Sequence, residues 1–223
     1  MNAHRAVPSG AVPVVVVHGI FVPSLEMALL VRRLRRAGFD ASAFGYHSVR
    51  ASLDENADRL ARALASCPIA PHVVGHSLGG VVALRALARN PGLDVGRVVC
   101  LGAPLAGSDV AARLVRTRIG RWALGATLRE GVLRSPSADW AGTVLGQREV
   151  GVIAGTRAAG AGRLITALAT PNDGTVTVRE TELPGLRDHL CMRVSHTGLV
   201  LSSDVAREVA RFLERGAFSR EAS

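Results

Sequence analysis

The chain contains no lysine. All 27 of its basic residues are arginine, set against 18 acidic residues, for a formal net charge of +9. Two accounts of that charge compete. One is attraction to an acidic partner, such as nucleic acid, a phospholipid surface or an acidic carrier protein. The other is a coding bias, which the heavy use of alanine and glycine also suggests. Aromatic residues are scarce too, at 4%. With so few rings to stack bases and no zinc-ligand spacing, no nucleic-acid partner is expected. The core must instead be built from valine, leucine, alanine and isoleucine. There are three cysteines, Cys67, Cys100 and Cys191, widely spaced and without a CxxC pair. That pattern argues against a metal or catalytic role, and Cys100 and Cys191, inside strand-like runs, are expected as small core residues. No apolar run approaches the roughly 20 residues of a membrane helix, so no integral membrane segment is expected. The N-terminal apolar run, Val12 to Val17, is short and leads straight into His18-Gly19 with no cleavage site, so a cytoplasmic location is expected.

What is present is a regular alternation. The 223 residues, 48% apolar and 20% charged, suit one globular domain. Val12 to Val17 is a β-branched apolar run of the kind buried on both faces of a parallel sheet. Met27, Leu30, Val31 and Leu34 then fall at helical spacing, stopped by Gly38. Ala41 to Tyr46 is a weaker strand candidate. Ser52 and Glu55 form a capping box ahead of a helical face of Leu53, Ala57, Leu60, Ala61 and Leu64. His72 to Gly75 reads as a strand and Ser77 to Asn90 as a helix. Further strands are expected at Val95 to Leu101, Val150 to Ala154 and Leu190 to Val194. A last helix carries Val205, Val209, Phe212 and Leu213, with Gly216 past its end. The alternation predicts an α/β fold: a mostly parallel sheet with helices on both faces and ligands at the carboxyl ends of the strands. Two stretches break the rhythm. One is 105 to about 148, expected as a small helical cap within a single domain 1–223; the other is the Gly/Ala-rich run from Arg157 to Leu168.

Gly75-His76-Ser77-Leu78-Gly79 fits G-x-S-x-G, with a strand before it and a helix after it. In that context the serine occupies a tight, strained turn that lifts its hydroxyl above the sheet edge, and the glycines avoid collision with the neighbouring elements. A serine hydroxyl needs a base within hydrogen-bond reach, and the base needs an orienting acid. Of seven histidines, only His189 and His196 come late enough in the chain. His189 stands at the start of the last expected strand, the wrong end of the sheet. His196 follows that strand, at the end where Ser77 sits, and is the expected base. For the acid, Asp173 lies in the turn Pro171-Asn172-Asp173-Gly174 after the Val150 strand, with Asp188 as runner-up. The oxyanion formed by attack on a carbonyl needs preorganised donors. These are expected to be the N–H of Leu78, just after the nucleophile, and the N–H of Ile20 in the loop after the first strand, with Phe21 as the alternative. Phe21 and His76 are candidate substrate contacts, and His18 is expected as a structural anchor. No metal-ligand cluster is apparent.

At this point the sequence resembles the α/β-hydrolase superfamily, in particular small bacterial lipases and esterases. The pieces that carry the resemblance are Val16-Val17-His18-Gly19-Ile20, Gly75-His76-Ser77-Leu78-Gly79-Gly80, Leu101-Gly102-Ala103-Pro104 with Gly107-Ser108, Asn172-Asp173-Gly174-Thr175-Val176, and Ser195-His196-Thr197-Gly198-Leu199. They run in the family order and span most of the chain. The resemblance implies the α/β-hydrolase fold and hydrolysis of carboxylic esters or thioesters through an acyl-enzyme, without a cofactor. The leading expectation is an esterase acting on short- to medium-chain acyl esters. An alternative is a thioesterase or acyltransferase acting on an acidic acyl carrier protein, which the arginines between Arg113 and Arg134 would attract. A third, of another class, is a catalytically silent binding protein on the same fold.

Overall fold

The computed structural model describes residues 10–20, 24–108, 111–112, 127, 141–158 and 168–219, with the backbone alone for 24–26 and 141. Six strands form one sheet: β1 (Pro13–Val17), β2 (Asp40–Phe44), β3 (His72–His76), β4 (Val98–Leu101), β5 (Val150–Gly155) and β6 (Asp188–Met192). Their order is β2-β1-β3-β4-β5-β6, and every pairing is parallel. The described helices are α1 (Ser24–Arg36), α2 (Leu53–Ala65), α3 (Leu78–Arg89), α4 (Ala141–Leu145), α5 (Gly198–Leu201) and α6 (Ser203–Arg215).

The valine run explains the layering. Successive strand side chains point to opposite faces, so a strand covered on both sides must be apolar throughout. Val15 and Val17 of β1 join Val73, Cys100 and Val152 in a core closed by α2, α3 and α4. Val14 and Val16 join Val74, Val99 and Ile153 in a second core closed by α1, α5 and α6. Met27, Leu30, Val31 and Leu34 all lie buried, as their spacing predicts. The capping box of α2 forms as expected: Glu55 N donates to Ser52 Oγ at 3.1 Å, and Ser52 N donates to Glu55 Oε2 at 2.7 Å.

Several boundaries differ from the sequence pattern, among them the end of β2, at Phe44 rather than Tyr46. β4 begins at Val98 rather than Val95; just before it, Gly96 N donates to Pro71 O at 2.9 Å and Arg97 N to the His72 side chain at 2.8 Å. β6 starts two residues early and ends at Met192, so His189 lies inside it. Cys191 does not join the core; it is exposed on β6, whereas Cys100 is fully buried and its thiol pushed up to about 12 by burial. Most of 105–148 and of Arg157 to Leu168 lies outside the described residues. Among the described residues no helix is long and apolar enough to cross a membrane.

Candidate active site

Every strand of the sheet runs the same way, so the loops after β1, β3, β4, β5 and β6 share one edge. The sharpest of these loops follows β3. Ser77 is the one described non-glycine residue with positive φ, at φ 54° and ψ −125°. Its N–H is held by Leu101 O at 2.8 Å, and α3 starts at the next residue. The turn is so tight that its flanking glycines have no room for a side chain. A Cβ on Gly75 would lie 2.5 Å from Gly80 Cα, and one on Gly79 would lie 2.3 Å from Val17 O. Ser77 is only 8% exposed, and its side chain does not cap the helix.

The loop after β5 carries Asp173, 1% exposed. Its Oδ1 accepts the N–H groups of Thr175 and Val176 at 2.8 and 2.7 Å. Its Oδ2 accepts from His196 Nδ1 at 2.7 Å. A carboxylate can only accept, so Nδ1 carries a proton, and in the neutral ring the lone pair is on Nε2. The main chain reinforces the pairing, since His196 N donates to Asp173 O at 3.0 Å. His196 stands four residues beyond the end of β6, with 15% of its side chain exposed. Gly102, after β4, packs under the pair: a Cβ there would stand 3.0 Å from Asp173 Oδ2 and 3.3 Å from His196 Nδ1. Ser77 Oγ makes no hydrogen bond among the described residues, including none to His196.

Asp188, the runner-up acid, and His189, expected at the wrong end of the sheet, both sit at the other edge. Asp188 and His189 pair with Gly151 and Val152 at the start of β5. Asp188 accepts from His189 N and Phe218 N, and His189 Nε2 lies 2.9 Å from Thr181 Oγ1. His189 is shifted down by burial.

The loop after β1 is fixed by His18. Its ring stacks on Tyr46 with centroids 4.4 Å apart, and Nδ1 lies 2.7 Å from Gly19 O. Tyr46 N donates to its Nε2 at 3.4 Å, and Tyr46 Oη donates to His18 O at 2.9 Å. Gly19 packs against the elbow, where a Cβ would meet Ser77 Cβ at 3.0 Å. Among the described residues, neither Ile20 N–H nor Leu78 N–H has a protein acceptor. Phe21 lies outside the described residues.

His76 is the residue whose surroundings the sequence did not foreshadow. Expected as a substrate contact, it is only 1% exposed, and its ring lies 4.8 Å, centroid to centroid, from that of His196. Its Nε2 donates to His196 O at 3.1 Å. Among the described residues no group of His, Cys, Asp or Glu could hold a metal ion. A surface groove of about 640 Å³ along α2, lined by His47, Arg50, Ala51, Glu55, Asp58, Arg59 and Arg62, includes none of the residues of this cluster.

The sequence model of the α/β hydrolase family matches residues 14–221, so the chain belongs to that family. Solved structures agree on the fold. A lipase from Bacillus licheniformis, BlEst2 in its mature form, superposes with a TM-score of 0.75 at 20% identity, covering 92% of each chain. The metagenomic carboxyl esterase MGS0156 gives 0.65 at 19% identity, covering 85% of this chain and 66% of its own. A monoacylglycerol lipase from Paleococcus ferrophilus gives 0.61 at 16% identity, covering 92% and 94%. No curated protein sequence matches the chain.

Proposed function

We propose that the protein is a serine hydrolase that cleaves short- to medium-chain carboxylic esters through an acyl-enzyme. The observation that carries this is the buried Asp173–His196 pair at 2.7 Å, on the same sheet edge as the elbow that holds Ser77. Lipases and esterases among the structural neighbours favour the same substrate class.

Ser77 Oγ attacks the acyl carbonyl carbon while His196 Nε2 takes its proton. Asp173 holds the ring in the required tautomer and stabilises the imidazolium that forms. The carbonyl oxygen becomes an oxyanion, met by Leu78 N–H at the start of α3 and by Ile20 N–H, with Phe21 N–H as the alternative donor. Collapse of the tetrahedral species expels the alcohol, which takes the proton from His196. A water then gives a proton to His196 and attacks the Ser77 ester, and His196 passes that proton to Ser77 Oγ as the carboxylic acid leaves. The arginines on which a carrier-borne thioester substrate would rely lie outside the described residues, so small neutral esters are the first substrates to assay.

The test is a panel of nitrophenyl esters and one acyl-carrier substrate, run beside a fluorophosphonate probe. Wild type should hydrolyse the esters and take the label, while Ser77→Ala should do neither. Labelling or turnover that survives the substitution removes Ser77 as the nucleophile. A wild-type protein that takes no label and turns nothing over would be a silent binding protein.

A further inference from the structure

We propose that His76 is a positioning residue for the reaction: its Nε2–H clamps the His196 carbonyl and so holds the base in place beside the serine that follows it in the chain. The inference rests on the assignment of Ser77 and His196 made above.

Three observations meet at this ring. It belongs to the residue adjacent to Ser77, so it moves with the elbow. Its Nε2 reaches across 120 positions of sequence to His196 O, at 3.1 Å. Its Nδ1 is a buried nitrogen with no hydrogen-bond partner among the described residues, and it faces Gly19, where a Cβ would stand 3.2 Å away. The ring is therefore wedged between three of the loops that build the site, those after β1, β3 and β6.

An orphaned, buried acceptor costs free energy, and so does burying an imidazole. A leucine would fill the same space without either cost. What the imidazole adds is the bond to the catalytic loop. His196 N is tied to Asp173 O and its own carbonyl to His76, so both sides of the base's backbone are held. The second histidine brings no competing charge. Burial, and the neighbouring rings of His196 and His18, press its pKa down to about 3. Among the described residues, the charged or titratable groups around it are those two rings, with Asp173 behind His196. A proton added at Nδ1 would be a buried donor with nothing described to receive it. The ring therefore stays neutral, in the Nε2–H form, while His196 accepts and returns the reaction's proton.

His76→Leu removes the clamp, and His76→Gln offers an amide N–H to the same carbonyl. Loss of an ångström-scale constraint on a reacting group predicts that His76→Leu lowers kcat by about 10- to 100-fold, with KM within about twofold of wild type, and that His76→Gln recovers most of the loss. The fluorophosphonate labelling rate should fall in parallel with kcat. The proposal fails if His76→Leu keeps wild-type kcat, if His76→Gln is as impaired as His76→Leu, or if the loss falls on KM, which would make His76 a substrate contact. A measurement on the wild type needs neither variant to fold. Side-chain ¹⁵N shifts should show His76 with a bare Nδ1 and a protonated Nε2, unchanged from about pH 8 to about pH 5, the range in which an ordinary histidine titrates. Conversion of His76 to imidazolium in that window overturns the proposal. Activity that persists in Ser77→Ala would instead refute the nucleophile assignment and leave this tautomer measurement standing by itself.

Discussion

Replacing Ser77 with glycine and with alanine separates the strain of the elbow from its chemistry. Both variants lose the hydroxyl, so both should lose activity, and what remains to compare is stability. Ser77 sits at φ 54° and ψ −125°, where a Cβ is crowded. Residues forced into such sparsely populated regions cost about 1–3 kcal/mol. Alanine keeps the Cβ and the strain with it. Glycine releases the strain, but its freer unfolded chain takes back about 0.5–1 kcal/mol, and losing one methyl-sized contact takes back at most about 0.8 kcal/mol. The centre of these ranges leaves Ser77→Gly about 1 kcal/mol more stable than Ser77→Ala, a rise in Tm of about 2–4 °C for a chain of this size. Thermal scans of the two inactive proteins in one buffer, with urea midpoints as a second measure, read the difference directly. A glycine variant that melts no higher than the alanine variant would refute the idea that the elbow stores strain.

Asp173→Asn should lower kcat by roughly 10³- to 10⁴-fold, because the amide can no longer hold the base in its tautomer. Asp188→Asn should leave kcat nearly unchanged and cost stability alone, since its partners are the backbone N–H groups of His189 and Phe218; a reversed outcome in steady-state kinetics would exchange the two roles. Gly79→Ala would drive a Cβ to 2.3 Å from Val17 O, so α3 must leave β1, and soluble expression or Tm should drop sharply. Gly142→Ala, with open space around it in α4, should be neutral or stabilising by up to about 1 kcal/mol and serves as the control. Acid sensitivity has a definite sign. The folded pKa of His76, about 3, lies below its ordinary 6.5, so the unfolded chain binds the proton first. Stability from this group is complete above the ordinary value and is lost as pH falls towards the folded one, by roughly 3 kcal/mol at about pH 4. Urea midpoints should therefore fall less between neutral pH and pH 4 in His76→Gln than in wild type; parallel decline in the two proteins would count against a neutral buried His76.

How much of this could be read from the sequence depended on how strongly each position was constrained. β1 is covered on both faces, so only apolar residues fit there, and the valine run marks it within one residue. Among the described residues β6 is an edge strand, paired with β5 alone and only partly buried, so it admits Asp188 and His189. The apolar pattern therefore placed it two residues late. Ser77 was legible because an elbow needs glycines at fixed spacing, and the pattern picks out the two whose Cβ atoms would strike backbone. The partners followed from chain order and sheet direction, and Asp173 and His196 do meet, while Asp188 and His189 lie at the far edge. The burial of His76 against His196 was not legible. Its partner is a backbone carbonyl 120 residues away, and a carbonyl carries no sequence signature. Cys191 was misplaced for the same reason as the start of β6: in an edge strand, a strand-like run does not say which side chains are covered.

The order of the strands also sets when activity can return during refolding. Asp173 and His196 are 23 residues apart, but the loop of His196 meets the elbow only by closing a span of 120 residues. Among the described residues β6 is the last strand and sits at the far edge of the sheet, where its one strand partner is β5. Contacts of such long sequence separation, made through parallel pairing, form slowly. Local helices such as α2, with its own capping box, need not wait for them. Ellipticity should therefore recover before fluorophosphonate labelling does, and the rate at which Ser77 becomes reactive becomes a clock for the docking of the final strand.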